Sequence, residues 1–393
     1  MSTESMRYVC AALLALFSAQ FVASPDASAA GALNKSELAP IANLAQTEIA
    51  AGRIPGAVVL IGSGNSIVYR KAFGDRVLKP RPEPMKIDTV FDLASLTKVV
   101  ATTPAVMQLV EQGKLQLDSP VSRYWPAFAA NGKQAITVRD LLTHYSGMRA
   151  DLDLSTQWSG YDNAMKKLVA ENPPAPPETR FLYSDENFEV LGELVRRVSG
   201  QSLDAYCADQ IFGPLGMKHT EFLPPAMLHD QIAPTEDTQG KVHWGDVHDA
   251  TARWMGGVSG HAGVFSTADD LAIYARMLIT GGVGNGVRIL SRKSVEEMTT
   301  RESPPNGPRA RGLGWDMGGR DGYSMFPEGS YGHTGFTGTL IWIDPGAAAY
   351  VIVLTNRVYP DGKGDALPLR KGVLELVTHA LYPSIQPTSD SRN

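Results

Sequence analysis

The sequence predicts an α+β protein: an antiparallel sheet flanked by N- and C-terminal helices and interrupted by an inserted all-helical domain. Two observations predict it. Segments rich in β-branched and apolar residues lie near both ends of the chain, and between them the apolar periodicity is mainly helical with Pro- and Gly-rich connections. We therefore place a sheet part at 30–90 and 300–393 of one domain spanning 30–393, and the mainly helical part at 91–299.

The predicted elements follow in that order. A helix over 38–51 ends at Gly52, and the glycine-rich stretch 62–66 between two β-rich segments, 57–61 and 67–72, is typical of a hairpin. Helical periodicity then covers 97–112, 138–142, 161–170, 186–198, 203–211 and 268–279. Strand signal returns over 311–317, 339–343 and 349–354, and a last helix covers 366–380.

Composition is that of an ordinary soluble globular protein. Of 393 residues, 43% are hydrophobic and 20% are charged, enough for a substantial core. The formal net charge is −5 and no basic run stands out, so nucleic acid is not expected as a partner. The glycine-rich stretch 281–286 is too isolated for a phosphate site, and no cofactor is expected.

The N-terminus is typical of a secretory signal peptide. Arg7 supplies a positive charge, 8–22 is mostly apolar, and 27–29 has the small residues of a cleavage site. We expect 1–29 to be removed and the mature protein to be periplasmic or secreted. The apolar run is too short and interrupted for a stable membrane span; the alternative is an uncleaved anchor.

Cleavage would leave Cys207 as the single cysteine, because Cys10 lies inside the signal segment. An internal disulfide is then excluded. We expect Cys207 to be a buried small hydrophobe; the alternative, a nucleophile, has no activating base nearby in the sequence.

Ser95 and Lys98 form the first motif that carries chemistry. Residues three apart share a helix face, so the Lys98 ammonium would lie beside the Ser95 hydroxyl in the first turn of a helix. A serine is a weak nucleophile at neutral pH unless a neighbouring base or cation assists it. The alternative is a helix-capping serine with a solvated lysine, and the motif alone leaves both interpretations open.

Two further segments favour catalysis. Tyr-Ser-Asp at 183–185 precedes an amphipathic helix, and Gly-His-Thr-Gly-Phe-Thr-Gly at 332–338 leads into an apolar strand. S-x-x-K, S-D-N and K-T-G are the signature set of serine β-lactamases and penicillin-binding proteins. The chain has all three in that order, with variations in the second and third, and so resembles that superfamily. It looks most like the branch of class C β-lactamases, D-alanyl-D-alanine carboxypeptidases and family VIII esterases.

The resemblance covers nearly the whole mature chain. Residues 54–60 resemble the first sheet strand of that branch, 137–148 resemble its T-[IV]-R-x-L-L-x-H-x-S-G-[LM] segment, and 257–271 resemble its glycine-rich turn into a late helix. The resemblance implies the β-lactamase/transpeptidase fold, with the active site in the groove between the sheet and the helical part.

By this resemblance, Ser95 is the acylated nucleophile, Lys98 lowers the cost of deprotonating it, and Tyr183 carries the proton to the leaving group. Whether Lys98 or Tyr183 is the general base stays open. A phenol with a pKa near 10 acts as a base only if cations stabilise its phenolate, and Lys98 and a protonated His333 are the candidates. The implied oxyanion hole is formed by the backbone N–H groups of Ser95 and Phe336. Losing one such donor typically costs about 3 kcal/mol of transition-state stabilisation.

The implied substrate contacts are His333, Thr334, Gly335 and Asp185, and two of them depart from the β-lactamase pattern. Asp185 stands where β-lactamases of this branch carry Asn, and an ionised carboxylate can only accept hydrogen bonds. We expect it to pair with Lys98 or to bind a substrate amine or hydroxyl. His333 stands in place of Lys, as in carboxypeptidase and D-peptidase members. Both changes argue against efficient β-lactam hydrolysis.

Three functions remain in competition. The first is a serine acyl-enzyme hydrolase acting on a small-molecule or peptide substrate, either a D-amino-acid peptide or an ester. The second is a class C-type β-lactamase, and the third is a non-catalytic peptidoglycan- or peptide-binding module of the same fold. A G-x-S-x-G nucleophile elbow does not occur, which disfavours the α/β-hydrolase route to an esterase.

Other polar residues are weaker candidates. His243, His248 and His261 lie near Asp246 and Asp249, but their spacing fits no standard zinc pattern, so no metal is expected.

Four further side chains have mainly structural interpretations. We interpret His144 as a core histidine. Trp254, Trp315 and Tyr331 fit either the groove or the core.

Overall fold

The structure, a computed structural model, describes residues 33, 35–236, 241–303, 310–319 and 326–384. The signal segment predicted at 1–29, with Arg7 and Cys10, lies outside the described residues. Within the described part of the chain, none of the helices has the length and apolar character needed to cross a membrane.

A seven-stranded antiparallel sheet joins the two ends of the chain. The strands are β1 (Gly56–Ser63), β2 (Ser66–Val77), β3 (Glu83–Pro84), β4 (Phe91–Asp92), β5 (Glu221–Phe222), β6 (Thr235–Glu236), β7 (Val242–His243), β8 (Val264–Ser266), β9 (Val283–Gly284), β10 (Val287–Arg288), β11 (Asp316–Met317), β12 (Tyr331–Thr334), β13 (Leu340–Asp344) and β14 (Ala349–Thr355). The order in the large sheet is β11-β12-β13-β14-β1-β2-β3. Strand β1 pairs with β14, from Ala57 opposite Thr355 to Ser63 opposite Ala349, so the two ends of the chain meet in one sheet.

Helices cover both faces of this sheet and fill the middle of the chain. They are α1 (Pro40–Ala50), α2 (Thr103–Glu111), α3 (Val138–Thr143), α4 (Tyr161–Ala170), α5 (Asp185–Ser199), α6 (Leu203–Cys207), α7 (Gly213–Leu215), α8 (Ala250–Trp254), α9 (Ala268–Ile279), α10 (Arg292–Met298) and α11 (Leu367–Leu381). Helices α1 and α11 pack together on one face, and α9 packs on β1, β13 and β14 from the other.

Strand β1 shows how the core is divided between the two faces. Alternate side chains of a strand point to opposite faces, so Ala57, Val59 and Ile61 pack with α1 and α11, whereas Val58 and Leu60 pack with the core of the helical part. All five are completely buried. Burial on both faces explains why this strand is a continuous apolar run in the sequence.

The largest departure from the predicted elements is at the helix expected over 97–112. The segment starts as the 3-10 helix Ala94–Leu96, continues as the π-helical turn Lys98–Thr102, and becomes α-helical only at Thr103. Pro104, which has no N–H to donate to the carbonyl four residues earlier, lies at this change. A small sheet of order β4-β8-β5 inside the helical part was also not predicted.

Candidate active site

Ser95 follows a strained backbone position. The preceding residue, Ala94, has φ of +47°, a left-handed conformation that costs a non-glycine residue about 1–2 kcal/mol. Its N–H donates to Asp92 Oδ1 at 2.8 Å, and Asp92 is buried at the end of β4. This turn stops the strand and begins the 3-10 helix, so Ser95 lies at the junction between the two parts of the protein.

Lys98 is completely buried beneath Ser95. Its Nζ lies 3.1 Å from Ser95 Oγ, 3.1 Å from the carbonyl oxygen of His261 and 2.6 Å from Asp185 Oδ1. Burial opposes the charge on Lys98, but Asp185 and Tyr183 outweigh burial and raise the pKa of the ammonium above its ordinary value. Lys98 is therefore charged at neutral pH in the free protein.

The N-terminus of α5 places Tyr183. Ser184 caps this helix, and its backbone N–H donates to His144 Nδ1 at 3.0 Å. The His144 ring stacks on the Tyr183 ring with centroids 4.5 Å apart. Lys98 Nζ lies 5.1 Å from the Tyr183 ring centroid. Burial raises the pKa of the phenol, and the Lys98 charge opposes that rise. The three polar groups of the first two motifs thus lie together, with Ser95 and Tyr183 lining the same groove and Lys98 beneath them.

The third motif is tied directly to the segment before Ser95. The hydroxyls of Thr337 and Thr339 donate to the backbone carbonyls of residues 92 and 93, at 2.7 and 2.9 Å. A Cβ on Gly335 would lie 2.4 Å from one of those carbonyl oxygens, so only glycine allows this approach. The backbone of Phe336 is consequently held next to Ser95.

His333, on β12, is 2% exposed. Its Nδ1 lies 2.8 Å from the carbonyl oxygen of Thr334, which can only accept, so Nδ1 carries the proton. Its Nε2 has no hydrogen-bond partner among the described residues. Burial lowers the pKa of His333 to about 3; Asp316 opposes this, and Arg311 and Lys98 contribute to it. His333 therefore gives no positive charge to a phenolate, and Lys98 is the remaining candidate.

The groove consists of two cavities that share Ser95, Tyr183 and Phe336 as lining residues. The first, of about 600 Å³, is called the arginine cavity and is lined by His333, Thr334, Gly335, Arg357 and Arg370. The second, of about 620 Å³, is called the Asp249 cavity and is lined by Leu154, Asp185, Asp249, Arg253 and Trp254. A substrate bound at Ser95 can place one part in each cavity.

Three guanidinium groups line the arginine cavity: Arg311 is ion-paired with Asp316, whereas Arg357 and Arg370 contact backbone oxygens. Arg357 Nε donates to Phe336 O at 2.6 Å, and its guanidinium lies 4.3 Å from the Phe336 ring centroid. Arg370 Nη1 lies 3.3 Å from Gly335 O. Burial and the charge of Arg370 lower the pKa of Arg357, and Asp365 opposes this. Among the ion pairs of the described residues, neither Arg357 nor Arg370 is paired with a carboxylate.

Comparison with known proteins agrees with this geometry. The family model "Beta-lactamase" matches residues 41–374. The chain belongs to the beta-lactamase family. A protein of Escherichia coli O157:H7 named as a candidate D-alanyl-D-alanine carboxypeptidase is 34% identical over 344 residues, 77% of this chain and 78% of that protein.

Two solved structures of similar shape extend the comparison. EstCE1, described as a hydrolase with promiscuous acyltransferase activity, is 25% identical with a TM-score of 0.73, over 87% of this chain and 99% of that one. A penicillin-binding protein homologue from Caulobacter crescentus is 22% identical with a TM-score of 0.73, over 89% and 99%. Membership of the beta-lactamase family and the predicted fold class are thus confirmed.

Most of the residues singled out in the sequence lie together in this beta-lactamase-family groove. Of the side chains that fitted either groove or core, Trp254 lines the Asp249 cavity, whereas Trp315 and Tyr331 are buried in the core. His144 is completely buried, but it lies directly against Tyr183, and burial lowers its pKa well below the ordinary value. The interpretation of His144 as a core histidine therefore missed its contact with the site.

The residues that sequence reasoning missed come from outside the three motifs. Arg357 and Arg370 follow the last strand and begin α11, and no local pattern distinguishes them from surface arginines. His261 lies in the segment 257–271, which resembles the glycine-rich turn of the family, and its carbonyl oxygen accepts from Lys98. Its ring pairs with Asp249 at 2.8 Å. The signal available in the sequence for His261 was its position in the glycine-rich segment 257–271, which the structure places against the helix that carries Ser95 and Lys98.

The remaining candidates have other partners. Within the part of the chain that is described, no group of three or more His, Cys, Asp or Glu side chains is arranged to hold a metal ion. The His248 N–H donates to Asp92 Oδ2, and its ring lies 3.0 Å from the carbonyl oxygen of Glu236. Cys207 is completely buried, and burial raises the pKa of its thiol, which makes it a poor nucleophile.

Proposed function

We propose that this protein is a serine hydrolase that works through an acyl-enzyme on Ser95. The observation that carries the proposal is the contact of the buried Lys98 ammonium with Ser95 Oγ at 3.1 Å, with the Tyr183 ring centroid 5.1 Å from the same ammonium. A serine needs such neighbours to become a nucleophile. A module that only bound peptides would have no need of a buried cation there.

In the proposed reaction, Ser95 Oγ attacks the substrate carbonyl carbon while its proton passes to the Lys98–Tyr183 pair. The pair must first lack one proton, and the Lys98 ammonium then stabilises the Tyr183 phenolate. The tetrahedral intermediate collapses, the C–N or C–O bond breaks, and the pair returns the proton to the leaving nitrogen or oxygen. Water then attacks the Ser95 ester and gives up its proton to the pair. The second tetrahedral intermediate collapses, the bond between the acyl carbon and Ser95 Oγ breaks, and the pair returns the proton to Oγ as the acid is released.

The oxyanion of that intermediate is assigned to the backbone N–H groups of Ser95 and Phe336. The hydrogen bonds of Thr337 and Thr339 fix the third motif against the segment before Ser95. Donors that are held in place before the reaction cost no reorganisation during it. This rigidity supports the assignment.

For the substrate, we favour a D-amino-acid peptide that ends in a free carboxylate. The name of the E. coli relative supports this substrate class. In this chain, Arg357 and Arg370 line the arginine cavity and hydrogen bond to backbone oxygens, and the ion pairs of the described residues do not include either of them. A guanidinium binds a carboxylate through two parallel hydrogen bonds. The leaving residue would thus lie in the arginine cavity and the acyl part in the Asp249 cavity.

Ester hydrolysis is the second candidate. The neutral state of His333 favours it, because the third motif then gives no positive charge to a substrate carboxylate. The similarity to EstCE1 points the same way. As a further part of the proposal, the segment 1–29 directs the protein to the periplasm or out of the cell, where peptidoglycan peptides are found.

The test is the mass of the intact protein after brief incubation with benzylpenicillin, for the wild type beside Ser95→Ala. We expect one penicillin adduct on the wild type and none on the variant. If no adduct forms, D-alanyl peptides and short-chain esters are compared. Turnover that is lost in Ser95→Ala supports the proposal, whereas turnover retained in the variant, or absent from the wild type, contradicts it.

A further inference from the structure

His261 connects the nucleophile cluster to a second, separate set of buried charges. Its carbonyl oxygen accepts a hydrogen bond from Lys98 Nζ at 3.1 Å. Its imidazole, 1% exposed, lies 2.8 Å from Ser259 Oγ through Nδ1 and 2.8 Å from Asp249 Oδ1 through Nε2. Glu189 Oε1 lies 3.4 Å from Nδ1. One residue thus touches the lysine with its backbone and a groove carboxylate with its ring.

The backbone around His261 allows little movement. A Cβ on Gly260 would lie 1.8 Å from the carbonyl oxygen of Phe188 in α5, so the chain packs directly against that helix. The Gly260 carbonyl accepts from Thr102 Oγ1 at 2.6 Å, four residues after Lys98. The segment is therefore held between α5 and the helix that carries the lysine, and the ring contacts fix its remaining freedom.

Two ion pairs lie close together here: His261 with Asp249, and Lys98 with Asp185. Burial disfavours the imidazolium, but Asp249 and Asp185 outweigh it and raise the pKa of His261 to about 10. His261 and Lys98 in turn depress the pKa of Asp249 below its usual range. Asp249 is therefore ionised and His261 protonated at neutral pH.

Two further carboxyl groups face this pair. Burial raises the pKa of Glu189 to about 8, opposed by His261, so Glu189 is mostly neutral at pH 7. Burial raises the pKa of Asp151 to about 6, and His261 opposes that rise as well. The Thr251 hydroxyl donates to Asp151 at 3.0 Å. Near neutral pH, the imidazolium therefore has Asp249 as its closest ionised partner.

We propose that His261 is a positioning residue whose ring, clamped to Asp249, holds its own carbonyl oxygen under Lys98, and that the His261–Asp249 pair balances the charge around the Lys98–Tyr183 proton site. This inference rests on the proposed function, because it assumes that Lys98 and Tyr183 move the Ser95 proton. It assigns a role to two residues that lie outside the three motifs. Asp249 also lines the groove, so the pair joins the substrate-facing wall to the proton site.

The same residues could be taken for a second Ser-His-Asp triad. Two features exclude it. A triad histidine must be neutral to accept a proton, whereas His261 is protonated at neutral pH. Ser259 is 2% exposed, which keeps its hydroxyl from a substrate. The arrangement therefore acts as a clamp rather than as a nucleophile.

The test compares pH profiles of kcat/KM for His261→Gln, Asp249→Asn and the double variant. His261→Gln removes a positive charge and leaves the Asp249 carboxylate near Lys98, so the acid limb moves up by about one pH unit. The double variant removes both charges, and its limb returns to the wild-type position. Loss of positioning lowers kcat by at least about tenfold in both His261→Gln and the double variant, with a smaller change in KM.

Ser259→Ala is the matched control, because it removes one ring contact and no charge; its acid limb stays in place. An unshifted limb in folded His261→Gln, or a double variant that is shifted further, overturns the inference. If His261→Gln does not fold, the double variant decides, and a wild-type kcat in it is the contradicting result. Ser95→Ala is measured in the same series: activity retained there defeats the proposed function, whereas activity lost there with unshifted profiles defeats the positioning role alone.

Discussion

The two cavities that meet at Ser95 differ in the partners of their cationic side chains. On the side of the Asp249 cavity, Lys98 pairs with Asp185 and His261 pairs with Asp249. In the arginine cavity, Arg311 pairs with Asp316, but Arg357 and Arg370 hydrogen bond to backbone carbonyl oxygens. A cation paired with a carboxylate inside the protein stays protonated, so the ion pairs near Ser95 set the charge around it. Cations without such partners remain available to bind an anionic group of the substrate.

The strongest way to break this comparison is to remove the central cation. Lys98→Met keeps the bulk of the side chain but not the charge, and we expect kcat/KM to fall by about 1,000-fold or more. The variant also leaves the half-buried Asp185 carboxylate without its partner, so stability falls as well. Activity and the thermal unfolding midpoint are measured together.

The double variant Lys98→Met with Asp185→Asn separates the two effects. It removes the unpaired carboxylate, so stability recovers while activity does not. Activity within tenfold of the wild type in Lys98→Met would show that Lys98 is not part of the proton site.

The arginine cavity is tested with matched substrates. For a peptide with a free C-terminal carboxylate, Arg357→Ala and Arg370→Ala should each lower kcat/KM by about 10- to 100-fold, because each removes a hydrogen bond to a charged group. The corresponding peptide amide should change by less than threefold. Arg276→Ala is the control, since Arg276 bonds to the Tyr350 hydroxyl away from both cavities. Equal losses for peptide and amide would remove the carboxylate role.

Asp185→Asn sharpens the comparison from the paired side. The amide can donate to an acyl carbonyl oxygen, which the carboxylate cannot. We expect acylation by a β-lactam to become about tenfold faster. This gain is smaller than the rate effect usually found for one hydrogen-bond donor at a reacting carbonyl oxygen. Acylation is followed by intact-protein mass at short times, and an unchanged rate counts against this role of Asp185.

The smallest effect distinguishes the two buried histidines by pH. His333 has its pKa lowered to about 3 from an ordinary value near 6.5, so the folded protein binds fewer protons than the unfolded chain between these values. Its neutral form contributes fully above pH 6.5, and stability falls by about 1.4 kcal/mol per pH unit as pH decreases towards 3. His333→Gln should remove that loss in urea unfolding at pH 6.5 and pH 5.

His261 has the opposite sign. Its pKa is raised to about 10, so its contribution is complete below pH 6.5 and is lost as pH rises towards 10. His261→Gln should therefore flatten the alkaline side of the stability profile and leave the acid side sloping. Parallel slopes for the two variants would mean that the charge states of the two histidines do not differ.

The sequence was sufficient for the features that depend on neighbours along the chain. Ser95 and Lys98 lie three residues apart, and Ser184 caps the helix that follows Tyr183, so local geometry sets both placements. The strand prediction at 57–61 succeeded because burial on both faces produces a continuous apolar run.

Features that depend on tertiary contact could not be predicted in the same way. The π-helical turn at Lys98–Thr102 and the small sheet of β4, β8 and β5 have no periodicity of their own. The neutral state of His333 depends on burial and on Arg311, which lies 22 positions earlier in the chain. The roles suggested for Arg357 and Arg370 depend on where α11 and the end of β14 meet the third motif.

The Phe336 side chain has a consequence for how this protein can diversify. Its ring is 60% exposed, lines both cavities, and lies between the His248 imidazole, at 5.6 Å, and the Arg357 guanidinium. It separates the arginine cavity from the Asp249 cavity, which otherwise share Ser95 and Tyr183 as lining residues. Substitutions on one side of the ring can therefore alter what binds in one cavity while the other cavity keeps its shape. Such a division allows new substrate combinations to arise one half at a time.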